Sequence, residues 1–158
     1  MKRKPKNRRG RPAKILRLWT HADAEKALPY VRSIMGSLRE HWLDVHRAKR
    51  HLRRLDRKPG RPDRTALLDR AHAAQDSDLA ADRFDESLRE LMALDIYCVD
   101  PVEGLALIPF RKGEELAWFV FDLFVPERLQ TWRLHNDPME TRRPLTEAFP
   151  DAPEKLSA

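Results

Sequence analysis

Residues 28–45 read LPYVRSIMGSLREHWLDV, and this stretch decides the fold. Its apolar side chains return at alternating intervals of three and four residues, which places them on one stripe of a helix. The stripe continues beyond the quoted stretch and consists of Leu28, Val31, Met35, Leu38, Trp42, Val45 and Leu52. Charged residues such as Arg39, Glu40, Arg47 and Lys49 lie on the other faces. We therefore predict a long helix that buries one seam against a partner helix.

The ends of this helix carry their own signals. Thr20 is a predicted N-cap, with Asp23 as the answering acid of a capping box. Pro29 lies about two turns into the pattern and is expected to kink the helix or to divide its first turns from the rest. Residues 58–62 read KPGRP and predict a turn, with Pro62 near the start of a second helix.

The second helix is indicated by small and apolar residues at seven-residue spacing. These are Leu67, Ala74, Ala81 and Leu88, joined by Ala71, Phe84 and Leu91. A short loop between two long helices predicts an antiparallel helical hairpin.

Short strand patterns follow the helices. We predict strands over residues 96–99, 105–108, 116–125 and 129–134, with Pro109 ending the second and a hairpin turn at residues 111–113. The predicted fold class is therefore α+β, a long antiparallel helical hairpin followed by a small antiparallel β-meander. We expect residues 1–18 to be a disordered basic tail, residues 19–146 to be one domain, and residues 147–158 to be a loose C-terminal tail.

The third predicted strand is apolar on both faces. One face carries Phe119 and Phe121, and the other carries Trp118, Val120 and Phe124. Because both faces need covering, the chain ends or a second copy of the protein must cover the face that the hairpin leaves open. We favour a homodimer.

Charge is unevenly distributed along the chain. Nine of the 31 Lys and Arg residues fall within residues 1–19, which contain no acid. The other 22 basic residues face 25 acidic ones, a net charge of −3. A polyanionic partner is therefore expected at the N-terminal tail, while the body as a whole has no excess of positive charge.

The centre of this tail is similar to the AT-hook, a DNA-binding peptide of the minor groove. Two arginines can lie along a narrow A·T groove, glycine lets the backbone approach its floor, and proline turns the chain away. The predicted nucleic-acid-binding residues are Arg8, Arg9, Gly10, Arg11, Pro12 and Lys14. The partner would be A·T-rich DNA or RNA, and the alternative is a solvated basic tail that matches by chance.

The order of parts resembles a bacterial family of uncharacterised proteins, domain of unknown function 2203, over residues 18–146. The resemblance rests on THADAE at residues 20–25 with Leu28-Pro29, on Asp100, Gly104-Leu105, Pro109, Gly113 and Trp132, and on RRPL at residues 142–145. The chain departs from the family pattern at Leu107-Ile108, where members have an Asp before Phe-Pro, and at Arg133, where they often have His. The resemblance implies a helical hairpin with a small sheet and supplies no activity.

Candidate chemistry elsewhere is sparse. His41, His46 and His51 recur every five residues and splay around a helix, so they cannot share a metal. Two His/Asp pairs lie three residues apart, at 41 and 44 and at 69 and 72, but such metal sites draw their ligands from four helices. We therefore expect neither metal nor cofactor. Cys98 fits a buried structural thiol better than an activated nucleophile.

An acid–base set of Asp100, Glu103 and His135 requires all three residues at one end of the sheet. The single cysteine excludes an internal disulfide, and no apolar run approaches the ~20 residues of a membrane span. These features favour a cytoplasmic, non-enzymatic protein with no small-molecule ligand, either associated with nucleic acid through its tail or acting as a protein–protein scaffold.

Overall fold

The computed structural model describes residues 15–125 and 127–150. The elements are α1 (His21–Asp56), α2 (Arg64–Ala93), β1 (Tyr97–Asp100), β2 (Leu105–Lys112), β3 (Glu115–Asp122), β4 (Thr131–Leu134), β5 (Arg143–Pro144) and α3 (Leu145–Ala148). The strands form one antiparallel sheet in chain order. The predicted α+β class, a helical hairpin followed by a meander, is confirmed. Within the described ranges, neither long helix is apolar enough to cross a bilayer.

Helix α1 is one continuous element. It begins after the predicted N-cap, because the Thr20 hydroxyl accepts the N–H of Asp23 at 3.1 Å. Its 36 residues correspond to about 54 Å. The predicted division of the helix at Pro29 does not occur. Proline removes one backbone hydrogen bond, but Leu28 and Val31 are both buried in the core. Packing on both sides of Pro29 therefore holds the helix together.

Three side-chain pairs connect α1 to α2 along their length. The Tyr30 hydroxyl bonds to Glu90, the ring of Trp42 lies 5.5 Å from that of Phe84, and Asp56 pairs with Arg70. These contacts lie at the base, the middle and the far end of the hairpin. The predicted antiparallel pairing is therefore correct.

The predicted stripe of α2 agrees only in part with the buried one. Leu91 is buried and Phe84 and Leu88 pack against the core, as predicted, whereas Leu67 is 51% exposed. The other buried residues of α2 are Ala73, Ser77, Ala80 and Ser87. Alanines occur at the predicted positions and beside them, and two of the buried residues are serines. An apolar pattern alone therefore does not locate the outer part of the seam.

The core lies where the base of the hairpin packs on one face of the sheet. The central pair is Phe110 and Phe119, whose rings stack with centroids 4.0 Å apart. On the helices this core reaches only as far as Leu38 on α1 and Phe84 on α2. Farther along the described hairpin, buried residues such as Val45 and Ala80 are not part of the core shared with the sheet. The outer part of the hairpin therefore projects past the sheet.

Strand β2 continues through Pro109, so the predicted end of the strand at this proline is wrong. Pro109 pairs with Trp118 of β3 on one side. On the other side, its carbonyl oxygen accepts the N–H of Trp19 at 2.8 Å, beyond the last residue that pairs with β1. A proline is compatible with a strand where its missing N–H faces an unpaired edge.

The second face of the sheet is covered largely by the chain itself. Leu107, Trp118 and Val120 form a small buried cluster, and Leu16 packs against it. Trp118 is 8% exposed, and its indole N–H donates to His135 Nδ1 at 3.1 Å. A chain end thus supplies part of the cover that we had assigned to a second copy.

Residues on both sides of the predicted domain contact it. Leu16 and Arg17, placed in the tail by sequence, both contact the body. At the other end, Ala148 and Phe149 pack against the core, and the Phe149 ring stacks on His21 with centroids 4.8 Å apart. These terminal contacts therefore extend the packed body beyond residues 19–146.

Gly104, in the β1–β2 turn, offers a test of this packing. It has a φ of 66°, and its carbonyl oxygen accepts the N–H of Leu123 at 2.9 Å. We expect Gly104→Ala to destabilise the fold by about 2–5 kcal/mol, since the left-handed backbone costs about 1–2 kcal/mol and overpacking about 1–3 kcal/mol. The added Cβ would overlap the Cβ of Leu123. Urea denaturation measures the free energy of unfolding.

Gly113 provides the matched control. Its φ is 62°, but the space around it is open. Gly113→Ala is therefore expected to lower the free energy of unfolding by only about 1–2 kcal/mol, the cost of the left-handed backbone. Equal losses in the two variants would contradict a close approach between the turn at Gly104 and the segment after β3.

Candidate functional site

The predicted nucleic-acid-binding residues of the tail, Arg8, Arg9, Gly10, Arg11, Pro12 and Lys14, lie outside the described residues. The segment that follows them is attached to the base of the hairpin. The Arg17 N–H donates to Asp95 Oδ2 at 3.0 Å, and the Trp19 indole donates to the Leu94 carbonyl at 3.1 Å. The basic tail therefore joins the body beside the end of α2.

A second basic segment lies at the other end of the hairpin. Residues 46–64, which we call the hairpin tip, comprise the end of α1, the connecting turn and the start of α2. They contain nine Lys and Arg residues, Arg47, Lys49, Arg50, Arg53, Arg54, Arg57, Lys58, Arg61 and Arg64, and only two acids. All nine basic residues are exposed. The tip therefore carries a net charge of +7.

The two acids of the tip already have partners. Asp56 pairs with Arg70, outside the tip, and the Asp63 side chain caps α2 by accepting the Ala66 N–H at 2.8 Å. Of the nine basic residues only Arg47 has an acidic partner within the described part of the chain, Asp44 at 3.4 Å. Eight exposed cations thus remain uncompensated by nearby carboxylates.

The flank below the tip has the opposite sign. Residues 65–95 contain eight acids and three basic residues, a net charge of −5. The hairpin is therefore strongly polarised along its length, with positive charge concentrated at its end. Part of this pattern is structural, since Arg53 and Arg54 in the last turn of α1 complement the helix dipole. That role does not account for the cations in the turn itself, such as Lys58 and Arg61.

The proposed acid–base set is not brought together. Asp100 Oδ1 accepts the N–H groups of Val102 and Glu103 in the β1–β2 turn. The backbone N–H of His135 instead donates to the Leu116 carbonyl, which places His135 at the opposite end of β3. Six residues of strand, about 20 Å, separate the two ends, so Asp100 serves to cap its turn.

The histidines of α1 show no shared site. His46 packs edge-on against Trp42 with ring centroids 4.4 Å apart. Among the residues that the structure describes, no three His, Cys, Asp or Glu side chains are placed to hold a metal ion.

Cys98 is a half-buried thiol on β1. Burial, together with the nearby charge of Asp100, raises its pKa to about 11. A thiol with this pKa is almost wholly protonated at neutral pH, which makes it a poor nucleophile. The structural interpretation of Cys98 fits this environment.

The reactivity of Cys98 follows from its pKa. At pH 8 we expect iodoacetamide to alkylate it about a hundredfold more slowly in the native protein than in urea, because an unfolded cysteine has a pKa near 8.5. Mass spectrometry of the modified fraction against time gives both rates. Similar rates in the two states would contradict the raised pKa, and a faster rate in the native protein would show that the thiol is activated.

Several residues that carry the family resemblance hold the β4–β5 loop in place. The Trp132 indole N–H donates to the Pro144 carbonyl at 3.0 Å. Arg143 makes two hydrogen bonds to Asp137, at 2.8 and 3.0 Å, which together with the Leu134 N–H hold the pKa of that carboxyl below its usual value. Arg133, in place of the expected His, is 5% exposed and donates to the Asp137 carbonyl at 3.0 Å. These residues therefore stabilise the β4–β5 loop.

Sequence reasoning missed the hairpin tip as a charged surface. Its nine cations within 19 residues are visible in the sequence. A single charge count over the whole body adds these cations to the acids of α2 and gives a net negative charge. A count over shorter windows, placed on the predicted hairpin, would have separated the two.

Comparisons with known proteins give one positive result. No curated protein and no solved structure matches the chain. The model of a family described as "Uncharacterized conserved protein (DUF2203)" matches residues 17–145, which include both helices and the sheet. The match covers most of the chain and agrees with the resemblance inferred from the motifs. The chain belongs to the DUF2203 family of uncharacterized conserved proteins.

Proposed function

We propose that this protein is a non-enzymatic nucleic-acid-binding protein that contacts its partner with the hairpin tip. The observation that carries the proposal is the set of eight exposed cations without an acidic partner among the described residues. The basic N-terminal tail, with its AT-hook-like sequence, is the second proposed contact.

The spacing of the tip arginines suits a phosphate backbone. Arg50, Arg53 and Arg54 of α1 and its C-cap residue Arg57 lie three or four residues apart, so they share one side of the helix end. They span about 10 Å of helix, which is comparable with three phosphate steps at about 3.4 Å of rise per strand. Each guanidinium can hold a phosphate through two parallel hydrogen bonds.

The polarity of the hairpin favours one docking direction. A nucleic acid lying along the side of α2 would meet the acids at residues 65–95, whereas one at the end meets only the basic tip. Complementary charge steers the encounter, and like charge suppresses the alternative orientation. The partner is therefore expected to bind end-on. Phosphate contacts of this kind fix position without reading bases, so sequence preference has to come from the tail.

Binding of labelled oligonucleotides tests this division of roles. Fluorescence anisotropy with A·T-rich DNA, G·C-rich DNA and RNA of equal length would be compared for the full chain and for a chain lacking residues 2–14. We expect binding by both proteins that falls steeply with salt, with a log–log slope near −0.9 per phosphate contacted. Any preference for A·T-rich DNA should disappear with the tail.

Two outcomes would contradict the proposal. Equally weak binding by both proteins at low salt would end the nucleic-acid interpretation. Complete loss of binding on removal of the tail, with the fold intact by circular dichroism, would assign all the affinity to the tail and none to the tip.

An exposed apolar patch keeps self-association as a second candidate. Phe124 is 63% exposed beside Val102, and Arg39 bridges the two, with its guanidinium 5.2 Å from the Phe124 ring and its Nε donating to the Val102 carbonyl at 3.1 Å. Phe124→Glu would break a homodimer that uses this patch, as sedimentation velocity would show. Trp118 is unsuitable for that test because it is buried within one chain. An unchanged monomer before and after the substitution would remove this candidate.

A further inference from the structure

A cleft at the base of the hairpin is lined by three arginines. It has a volume of about 260 Å³ and lies between α1, the end of β3 and the β4–β5 region. Its arginines are Arg32, Arg128 and Arg142, and its one acid is Asp122. Leu28, Phe121 and Leu129 give it an apolar floor. Cations concentrated over an apolar floor are typical of a site for a small anionic ligand.

The three guanidinium groups lack acidic partners in the described ranges. Other arginines of the same body, Arg47, Arg70 and Arg143, each have a carboxylate within 4.0 Å. None of the cleft arginines does. Asp122 is engaged with its own turn, where Oδ1 accepts the Phe124 N–H at 2.9 Å. The cleft therefore holds a net charge of about +2 that an anion would neutralise.

Arg32 is fixed in place before any ligand arrives. It donates to the Leu123 carbonyl at 2.8 Å and to the Val125 carbonyl at 3.2 Å, and it lies 5.4 Å over the Phe121 ring. Two of its five N–H donors are thus used. The remaining donors belong to a half-buried, oriented group, which loses little entropy when an oxyanion binds.

Arg142 is held by the loop that the family motif closes. Its guanidinium donates to the Met139 and Thr141 carbonyls at 2.7 and 2.8 Å. The neighbouring Arg143 anchors the same loop through Asp137. Arg128, by contrast, has no hydrogen bond or ion pair to the described residues and is free to close on a ligand.

We propose that this cleft binds a small ligand through a phosphate group, with the apolar floor receiving the rest of the molecule. Planar, bidentate arginines recognise phosphate oxygens through charge-assisted hydrogen bonds. The site does not depend on the proposed nucleic-acid function. Arg32 and the end of α1 are 24 residues apart, about 36 Å along the helix, and the volume of the cleft does not admit a duplex.

Titration with inorganic pyrophosphate, followed by ¹H–¹⁵N NMR on the full chain, tests the site. We expect saturable shifts at the amides of residues 121–122 and 130–131, with a dissociation constant of about 1 mM or tighter. Arg128→Gln and Arg142→Gln should each weaken binding about tenfold, the usual effect of losing one charge-assisted hydrogen bond. Arg128 makes no hydrogen bond or ion pair to the described residues, so its variant separates loss of binding from loss of folding.

Arg89→Gln is the matched control. Arg89 is an exposed arginine of α2 whose side chain donates to the Asp85 carbonyl at 3.3 Å. It lies outside the cleft, so its replacement should leave pyrophosphate binding unchanged. Glycerol 3-phosphate should shift the same amides, and an excess of a short RNA hairpin should not displace either compound. No saturable shift up to about 10 mM, equal weakening in all three variants, or displacement by the RNA would each overturn the proposal.

Discussion

Glutamine in place of Arg50, Arg53, Arg54 and Arg57 is expected to weaken nucleic-acid binding about a hundredfold or more at 50 mM salt. Each lost phosphate contact removes close to one unit from the log–log salt slope, so the slope should fall by about three to four units. The fold should survive, because all four side chains are exposed and glutamine is a good helix former. Anisotropy measured across a salt series in the chain lacking residues 2–14 gives the clearest readout, since no tail then compensates.

A control with the same loss of charge separates the tip from net charge alone. Four basic residues outside both the tip and the cleft, Arg83, Arg89, Arg111 and Lys112, are exposed or partly exposed. Their replacement by glutamine lowers the net charge equally but leaves the tip intact. Binding should weaken less than tenfold, because charges beyond a Debye length of about 10 Å at 0.1 M salt are largely screened. A loss as large as that of the tip variant would show that the protein attracts polyanions through its overall charge.

The helical hairpin was predictable because its signals are local. The seam from Leu28 to Val45, the cap at Thr20 and the turn at residues 58–62 each lie within a few turns of chain, and the structure shows all three. The seam of α2 was predicted correctly at Phe84, Leu88 and Leu91. Toward the tip it was misplaced, because alanines on adjacent stripes carry almost no periodic signal. Its true position depends on which small residues α1 can approach, and that is a property of the pair.

The sheet was harder to delimit because its ends depend on contacts from elsewhere. Pro109 remains in β2 because it pairs with Trp118 on one side and presents its missing N–H to an edge that β1 does not reach, where the N–H of Trp19, 90 residues earlier, bonds to its carbonyl. The two-residue strand β5 likewise exists through pairing with Thr131 and Trp132, and neither propensity nor periodicity marks so short a segment. A proline and a short edge strand are thus decided by tertiary structure.

The hairpin tip and the cleft also differ in whether their residues are close together in sequence. The residues of the tip are contiguous in sequence, so the predicted hairpin alone places their charge at one end of the molecule. The cleft brings together Arg32, Arg128 and Arg142, which are spread over 110 residues. No spacing rule connects them, because their meeting depends on how α1 crosses the sheet and where the β4–β5 loop closes. Only the folded chain shows that these cations share a cleft.

Phe119→Ala is expected to give the largest loss of stability, about 3–5 kcal/mol. Phe119 is fully buried in the centre of the sheet, paired with Ile108 of β2 and Trp132 of β4. Its ring stacks on Phe110 and lies 5.8 Å from that of Phe149. Removing it leaves a cavity between the hairpin base and the sheet, where rigid rings cannot relax to fill the space. Thermal denaturation should show a midpoint lower by about 10 °C or more.

Phe124→Ala is the matched control, since it removes the same atoms from a side chain that is mostly exposed. It loses only the contact with Arg39, so the cost should stay below about 1 kcal/mol. Comparable losses in the two variants would mean that the hairpin base does not pack on the sheet. Below its melting temperature, the Phe119 variant should still bind nucleic acid with unchanged affinity, because the tip is held by the two helices alone. A parallel loss of stability and affinity would instead connect the partner's contact surface to the sheet.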